Sequence, residues 1–252
     1  MPIANLYWAV PHTFAAAQRT ILTDFLDDAE RARAQRFAMA ADRDAFITAH
    51  GVLRLALSVH GDIPAPDWRF ARQPSGKPEV AGRNAGGLTF SLAHVRSMVA
   101  CVVTHAGAVG IDVEEALGEP PDPALIERCC APSERELLGA LAPRERDAAF
   151  VELWTIKEAV LKALDTGSSV PFDEIECALN PPRLVRLPAR DTPWAVPRVT
   201  ILRPAGTHVI ALAETGDDAA MPPVAVRRIS GDDVLDLPAQ GRAARSTVLA
   251  PR

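Results

Sequence analysis

Two short segments constrain this chain more than any others: Gly110-Ile111-Asp112-Val113-Glu114-Glu115 and Trp154-Thr155-Ile156-Lys157-Glu158-Ala159-Val160-Leu161-Lys162. Alternation in the first predicts a strand, with Asp112 and Glu114 on one face and Ile111 and Val113 pointing into the core. Two carboxylates on one face repel each other unless a cation lies between them. A hard cation such as Mg2+ suits the pair, because it takes a few carboxylates together with waters and phosphate oxygens. A solvated acidic rim at a strand end produces the same pattern. The second segment predicts a helix, since Leu153, Ile156, Val160 and Leu164 recur at three- and four-residue steps as one buried stripe. Trp154, Glu158 and Lys162 follow one another at four-residue steps on a different face. Alone, Glu158 and Lys162 also read as an ordinary intrahelical ion pair worth about 0.3 to 0.5 kcal/mol. Together the two segments suggest a divalent metal held against a phosphate.

Composition supports this from another side. The chain has 27 Lys and Arg residues, but only three of them are lysines: Lys77, Lys157 and Lys162. Arginine fills nearly every generic basic position, so a retained lysine points to a task needing a compact charge on a flexible stem. Two of the three flank Glu158, and the third lies in Gly76-Lys77-Pro78.

These residues carry a family resemblance. The sequence resembles the 4'-phosphopantetheinyl transferases of the surfactin-synthetase-activating (Sfp-like) type, in the subgroup with Trp and Lys-Glu-Ala in the helix motif. Their signature is a Gly-Ile-Asp-Val-Glu strand followed some forty-odd residues later by Trp-x-x-Lys-Glu-Ala-x-x-Lys. Here Asp112 and Glu158 are 46 positions apart, and Gly76-Lys77-Pro78-Glu79-Val80 and Phe90-Ser91-Leu92-Ala93-His94 precede them in the family's order. The motifs span roughly residues 30 to 170.

The resemblance implies an α/β (α+β) fold of two similar halves packed with pseudo-twofold symmetry, with the active site in the cleft between them. It implies transfer of the phosphopantetheine arm of coenzyme A, the co-substrate, to a serine of an apo acyl or peptidyl carrier protein. Adenosine 3',5'-bisphosphate would leave. Asp112, Glu114 and Glu158 would ligate Mg2+, or Mn2+ in its place, and so neutralise charge on the transferring phosphoryl group. Glu158 is also the candidate base for the serine, directly or through a metal-bound water. Lys162 would contact the pyrophosphate and stabilise the leaving group. With Asp112, these residues form the catalytic set.

Upstream motifs would grip coenzyme A. Gly76 allows close backbone approach, Lys77 offers a point charge to phosphate, and Pro78 fixes the turn. His94 would donate to a phosphate. The family often carries serine just before this histidine, where this chain has Ala93, so that contact is lost or supplied elsewhere. Among Arg31, Arg33, Arg36 and Arg43, the choice for the 3'-phosphate falls on Arg33 and Arg36, because Glu30 stands where a relative has a basic residue. The same arginines, interleaved with Glu30, Asp42 and Asp44, also read as a solvated helical face.

At 252 residues the chain can bury a sizeable core. Laying Phe46 on Phe150 places Val52 on Ile156, Arg54 on Glu158 and Leu57 on Leu161, which hints at two related halves, each opening on a long helix. The expected halves are residues 1–105 and 106–230, followed by a mobile tail over 231–252. Strands are predicted at 88–92, 98–104, 175–179, 198–202, 208–213 and 223–229, with a proline-rich break from Pro181 to Pro197. The net charge of −5 implies no general attraction to nucleic acid or membrane. Cys101, Cys129, Cys130 and Cys177 have no Cys-x-x-Cys spacing, which argues for a reducing compartment, with Cys129-Cys130 packed in a helix. No secretory signal or membrane span is evident, so a cytoplasmic monomer, internally a pseudo-dimer, is expected. Carrier docking is expected on the segment from 117 to 141. A phosphate loop of the Gly-x-x-x-x-Gly-Lys-Ser/Thr kind is absent. The competing reading is a non-catalytic coenzyme A or carrier-protein binding module with the same fold, favoured only by Ala93.

Overall fold

The computed structural model describes residues 4–82, 86–105, 107–116, 118–189, 195–216 and 224–235. It divides into two compact units: residues 1–73, 78–106 and 220–252 form the first, and 74–77 and 107–219 the second. Each places one long helix on an antiparallel-rich sheet.

In the first unit, β1 (Asn5–Ala9), β4 (Thr89–His94), β5 (Val99–Thr104) and β11 (Ala225–Arg228) make a sheet of order β11-β1-β5-β4. Strand β5 is buried on both faces, which explains its nearly continuous apolar run. Val99, Cys101 and Val103 share one core with Phe46, Val52, Leu53 and Leu57 of α3 (Ala40–His60), residues at helical spacing. A short hairpin, β2 (Phe70–Arg72) and β3 (Pro78–Val80), completes the strands of this unit. Helices α1 (Ala16–Asp24) and α2 (Asp28–Ala34) precede α3.

Glu30 pins α2 onto α3. It closes a capping box with Asp27. Its Oε1 accepts from His50 Nδ1 at 2.8 Å and Arg54 Nη1 at 3.1 Å, and its Oε2 lies 2.7 Å from Arg54 Nη2. Arg54 is fully buried and lies over the Phe70 ring. Its carboxylate partner is therefore a structural requirement, which explains why an acidic residue holds a place the sequence reading marked as basic in a relative.

In the second unit, β6 (Val109–Glu115), β9 (Arg198–Leu202) and β10 (His208–Glu214) form an antiparallel sheet of order β6-β10-β9. Helices α4 (Pro123–Cys129) and α5 (Pro132–Gly139) lead into α6 (Pro143–Leu164), which lies on β6 and β10. The contact runs along small residues. A Cβ on Gly110 would sit 1.9 Å from the Ala159 carbonyl oxygen and 2.4 Å from the Ala163 nitrogen. Ala213 and Ala211, the β10 partners of Gly110 and Asp112, belong to the same buried cluster as Ala159 and Ala163.

Strand expectations at 88–92, 98–104, 175–179, 198–202 and 208–213 meet β4, β5, β7 (Glu176–Leu179), β9 and β10. The proline-rich break hides a strand, β8 (Pro182–Arg186), paired with β7. Pro182 is its first residue, a position where a missing N–H is tolerated. The strand at 225–228, assigned by the sequence reading to the second half, runs parallel to β1 in the first unit. Helix α7 (Gly231–Leu235) follows it, and residues 236–252 of the expected tail lie outside the described residues. Cys129 ends α4, while Cys130 is already extended, so the cysteine pair straddles a helix end. No helix among the described residues is long and apolar enough to cross a membrane.

Two outcomes follow from this packing. Replacing Gly110 by Ala forces α6 off β6 and should lower the unfolding free energy in urea by about 1 to 3 kcal/mol or more. Gly118→Ala, with nothing within 4 Å of the added carbon, should stay within about 0.5 kcal/mol. Burial pushes the Glu30 carboxyl up, but the bond and charge of His50 and the Arg54 guanidinium overcome this and lower it to about 2 from 4.5. A depressed carboxylate stabilises the fold above its unfolded value and loses that stabilisation as pH falls toward its folded one. Glu30→Gln should thus lower stability at neutral pH by roughly 2 to 3 kcal/mol, and the gap from the parent should narrow below about pH 4.5 in denaturation midpoints.

Candidate active site

Asp112 and Glu114 lie two residues apart on β6, on the face that Gly110 turns to α6. Ile111 and Val113 are buried on the opposite face, so both sides of this strand are covered. The carboxylates therefore meet the helix and do not form a solvated rim.

Geometry explains the pairing. One two-residue step along a strand advances about 6.6 Å, and one four-residue step along a helix about 6.0 Å. Gly110 meets Ala159 and Ala163, Asp112 meets Lys162, and Glu114 meets Trp154. From Gly110 to Glu114 the helix partner moves back from Ala159 and Ala163 to Trp154, so strand and helix run in opposite directions, and the long Lys162 side chain reaches Asp112 between them. Lys162 Nζ donates to Asp112 Oδ1 at 2.6 Å, and the Trp154 indole N–H donates to Glu114. The intrahelical Glu158–Lys162 pairing left open by the sequence gives way to a bond across to the strand.

Burial pushes the Asp112 carboxyl up to about 6, against the ammonium of Lys162 and with the added charge of Glu158. Glu114 is pushed up to about 7 by burial and then by Asp112, with Glu158 adding to it. Glu158 is thus close enough to add to the shift of both strand carboxylates. Asp112 Oδ2 is buried and has no hydrogen-bond partner among the described residues. An orphaned anionic oxygen beside two further carboxylates is the donor set a hard cation satisfies. Among the described residues no three His, Cys, Asp or Glu side chains form a ready-made cage.

The two other lysines have structural partners. Lys77 donates to the carbonyls of Val109 at 2.9 Å and Lys162 at 2.6 Å, and burial lowers its pKa. Two of its three N–H donors are taken by backbone carbonyls, contacts that the Gly-Lys-Pro motif does not reveal. Gly76 beside it has φ of 91° and open space where a Cβ would stand. Pro78 opens β3. Lys157 is fully buried and donates to Glu134, to the Cys129 carbonyl at 2.7 Å and to the Phe172 carbonyl at 3.0 Å. Glu134 in turn accepts from the backbone N–H groups of Ala131 at 2.7 Å and Cys177 at 2.8 Å. This hub was not read from the sequence. The scarcity of lysine was its only signal.

The remaining expected residues belong to the first unit. His94 is exposed at the end of β4, and its ring lies edge-on to Phe46. Ala93 is buried on the other face of that strand. Arg33 and Arg36 are exposed, and Arg33 lies over the Phe46 ring at 5.1 Å. Arg31 and Arg43 are engaged by Asp28 and Asp44, whereas among the described residues Arg33 and Arg36 have no carboxylate partner.

Comparison with known proteins identifies the family. A family model described as the 4'-phosphopantetheinyl transferase superfamily matches residues 108–213, the stretch that holds β6 and α6. The chain is 33% identical over 181 residues to the 4'-phosphopantetheinyl transferase HetI of a Nostoc species, covering 71% of this chain and 76% of that one. It is 29% identical over 177 residues to the 4'-phosphopantetheinyl transferase psf-1 of Bacillus pumilus, covering 69% and 74%. It is 24% identical over 180 residues to the 4'-phosphopantetheinyl transferase Sfp of Bacillus subtilis, covering 71% and 77%. With its paired carboxylates on β6 and its Trp-x-x-x-Glu-x-x-x-Lys face on α6, this chain belongs to the 4'-phosphopantetheinyl transferase superfamily.

Proposed function

We propose that this chain transfers the 4'-phosphopantetheine arm of coenzyme A to a serine of an apo acyl or peptidyl carrier protein, acting in the cytoplasm as a single chain. The observation that carries the reading is the unpartnered Oδ2 of Asp112, buried beside Glu114 and Glu158 and next to the Lys162 ammonium. Asp112, Glu114 and Glu158 would hold Mg2+. Bound there, the metal supplies charge neutralisation at the pyrophosphate of coenzyme A.

The chain's own residues account for the rest. Glu158 takes the proton of the carrier serine as its Oγ forms a bond to the phosphorus that bears pantetheine. The bridging P–O bond breaks, and adenosine 3',5'-bisphosphate leaves with the electron pair. Lys162 stabilises the charge that builds on that leaving group. Trp154 holds Glu114 through its indole N–H. His94, Arg33 and Arg36 bind the phosphates of coenzyme A, and the open backbone at Gly76, with Pro78 beside it, lets the nucleotide approach. Lys77 is left out of this set because its ammonium already serves two carbonyls. Carrier docking falls to the α4–α5 segment, which exposes Leu137; Leu117, at the start of the expected docking stretch, lies outside the described residues.

Incubation with coenzyme A, Mg2+ and an apo carrier protein should add the phosphopantetheine mass to the carrier, read by mass spectrometry. No added mass on any of several carriers would leave the non-catalytic binding module as the better account. Glu158→Gln should slow transfer by about 100-fold or more. Mg2+ with coenzyme A should raise the melting temperature, and Asp112→Asn should remove the Mg2+-dependent part of that rise.

A further inference from the structure

The turn at residues 74–77 is joined to the C-terminal end of α6 by several independent contacts. Lys77 Nζ donates to the carbonyl of Lys162 at 2.6 Å and to that of Val109, the first residue of β6, at 2.9 Å. The Lys162 carbonyl is among the last four of α6, which have no acceptor role within the helix. A cation there also complements the negative end of the helix dipole. Ser75 Oγ donates to Asp165 Oδ1 and accepts from the Lys77 backbone N–H at 3.2 Å. Asp165 ends α6 in the left-handed region, with φ of 53°. Gly167 completes the contact: a Cβ on it would stand 3.1 Å from the Ser75 carbonyl oxygen.

The residue whose carbonyl Lys77 holds is the one whose own ammonium binds Asp112. Lys77 therefore fixes the backbone from which Lys162 reaches the strand, and fixes the start of that strand with the same charged group. We infer that Lys77 is a positioning residue for Lys162, its ammonium and the Ser75–Asp165 bond acting as a latch that sets turnover and not coenzyme A affinity. Three donors on a compact head suit two carbonyls that converge on one point, which a planar guanidinium does not match. The inference rests on the transferase reading for the role of Lys162, but the latch itself can be measured without catalysis.

The test compares the parent protein with Lys77→Met, Ser75→Ala, Asp165→Gly and Lys162→Met, using coenzyme A, Mg2+ and an apo carrier protein. Lys77→Met should lower kcat by about 10- to 100-fold, with KM and the calorimetric Kd for coenzyme A changed by less than about twofold. Ser75→Ala and Asp165→Gly should lower kcat in the same sense by a smaller factor, about 3- to 10-fold. Asp165→Gly removes the carboxylate while easing the left-handed backbone, so it keeps the fold if Lys77→Met does not. A Lys77→Met protein with intact kcat and a Kd for coenzyme A weakened about tenfold would overturn the inference and make Lys77 a phosphate ligand. Unchanged kcat in both Ser75→Ala and Asp165→Gly would overturn it as well. If Lys162→Met keeps full activity, or the parent transfers nothing, the transferase reading fails and hydrogen exchange decides the latch. The amides of Asp165 and Thr166, both bonded to the Leu161 carbonyl, should then exchange about tenfold faster in Lys77→Met than in the parent. Equal exchange would sink it.

Discussion

The site depends on the closeness of β6 to α6, and that closeness depends on Gly110. A side chain there would overlap the backbone of Ala159 and Ala163. With hydrogen in that place, strand and helix come near enough for Lys162 to reach Asp112 and for Trp154 to reach Glu114. Gly110 and Ala159 therefore explain two letters of the motifs that carry no chemistry. The glycine of Gly-Ile-Asp and the alanine of Lys-Glu-Ala face one another and set the spacing at which the acids between them work. Ala211 and Ala213 on the neighbouring strand extend the same seam.

Each of the three lysines uses its compact ammonium on groups that converge on α6 or its ends. Lys77 takes two carbonyls, Lys157 takes Glu134 and two carbonyls, and Lys162 takes Asp112. The Lys157–Glu134 pair satisfies backbone groups from α4, the start of α5, the turn at Phe172 and β7. A buried ion pair with so complete a set of partners gives little net stability but costs about 3 to 5 kcal/mol if one partner is lost. Its value lies in register: it sets the segment before α6 against the residue next to Glu158.

The core of the site was legible because its spacing obeys two periodicities at once, two for Asp112 and Glu114 and four for Trp154, Glu158 and Lys162. Those periods also gave most strands of both units. What the sequence could not show was which group each charge would meet. Lys77 in a Gly-Lys-Pro turn reads as an offered cation, yet two carbonyls 32 and 85 positions away claim it. Glu30 reads as a break in a basic face, yet it is what buries Arg54. Strand β8 was missed because Pro182 is a local breaker whose cost vanishes at a strand start. Strand β11 was seen but placed with the wrong half, because parallel pairing to β1 links segments more than 200 residues apart that no local pattern connects.

The carboxylates also bear on stability. Asp112 is buried and Glu114 half-buried, close to each other and to Glu158, and both are pushed toward the neutral form. One ammonium cannot satisfy them: Lys162 serves Asp112 Oδ1, while Oδ2 has no partner among the described residues. A sequence selected for stability alone would place apolar side chains under α6, as it does at Ala211 and Ala213 two residues apart on the adjoining strand. Two acids facing the helix beside a third on the helix itself cost stability in such a setting unless a cation completes them. The small-residue seam, the Lys77 latch and the Lys157 hub surround this centre with packing and hydrogen bonds, so the backbone stays fixed where the side chains repel.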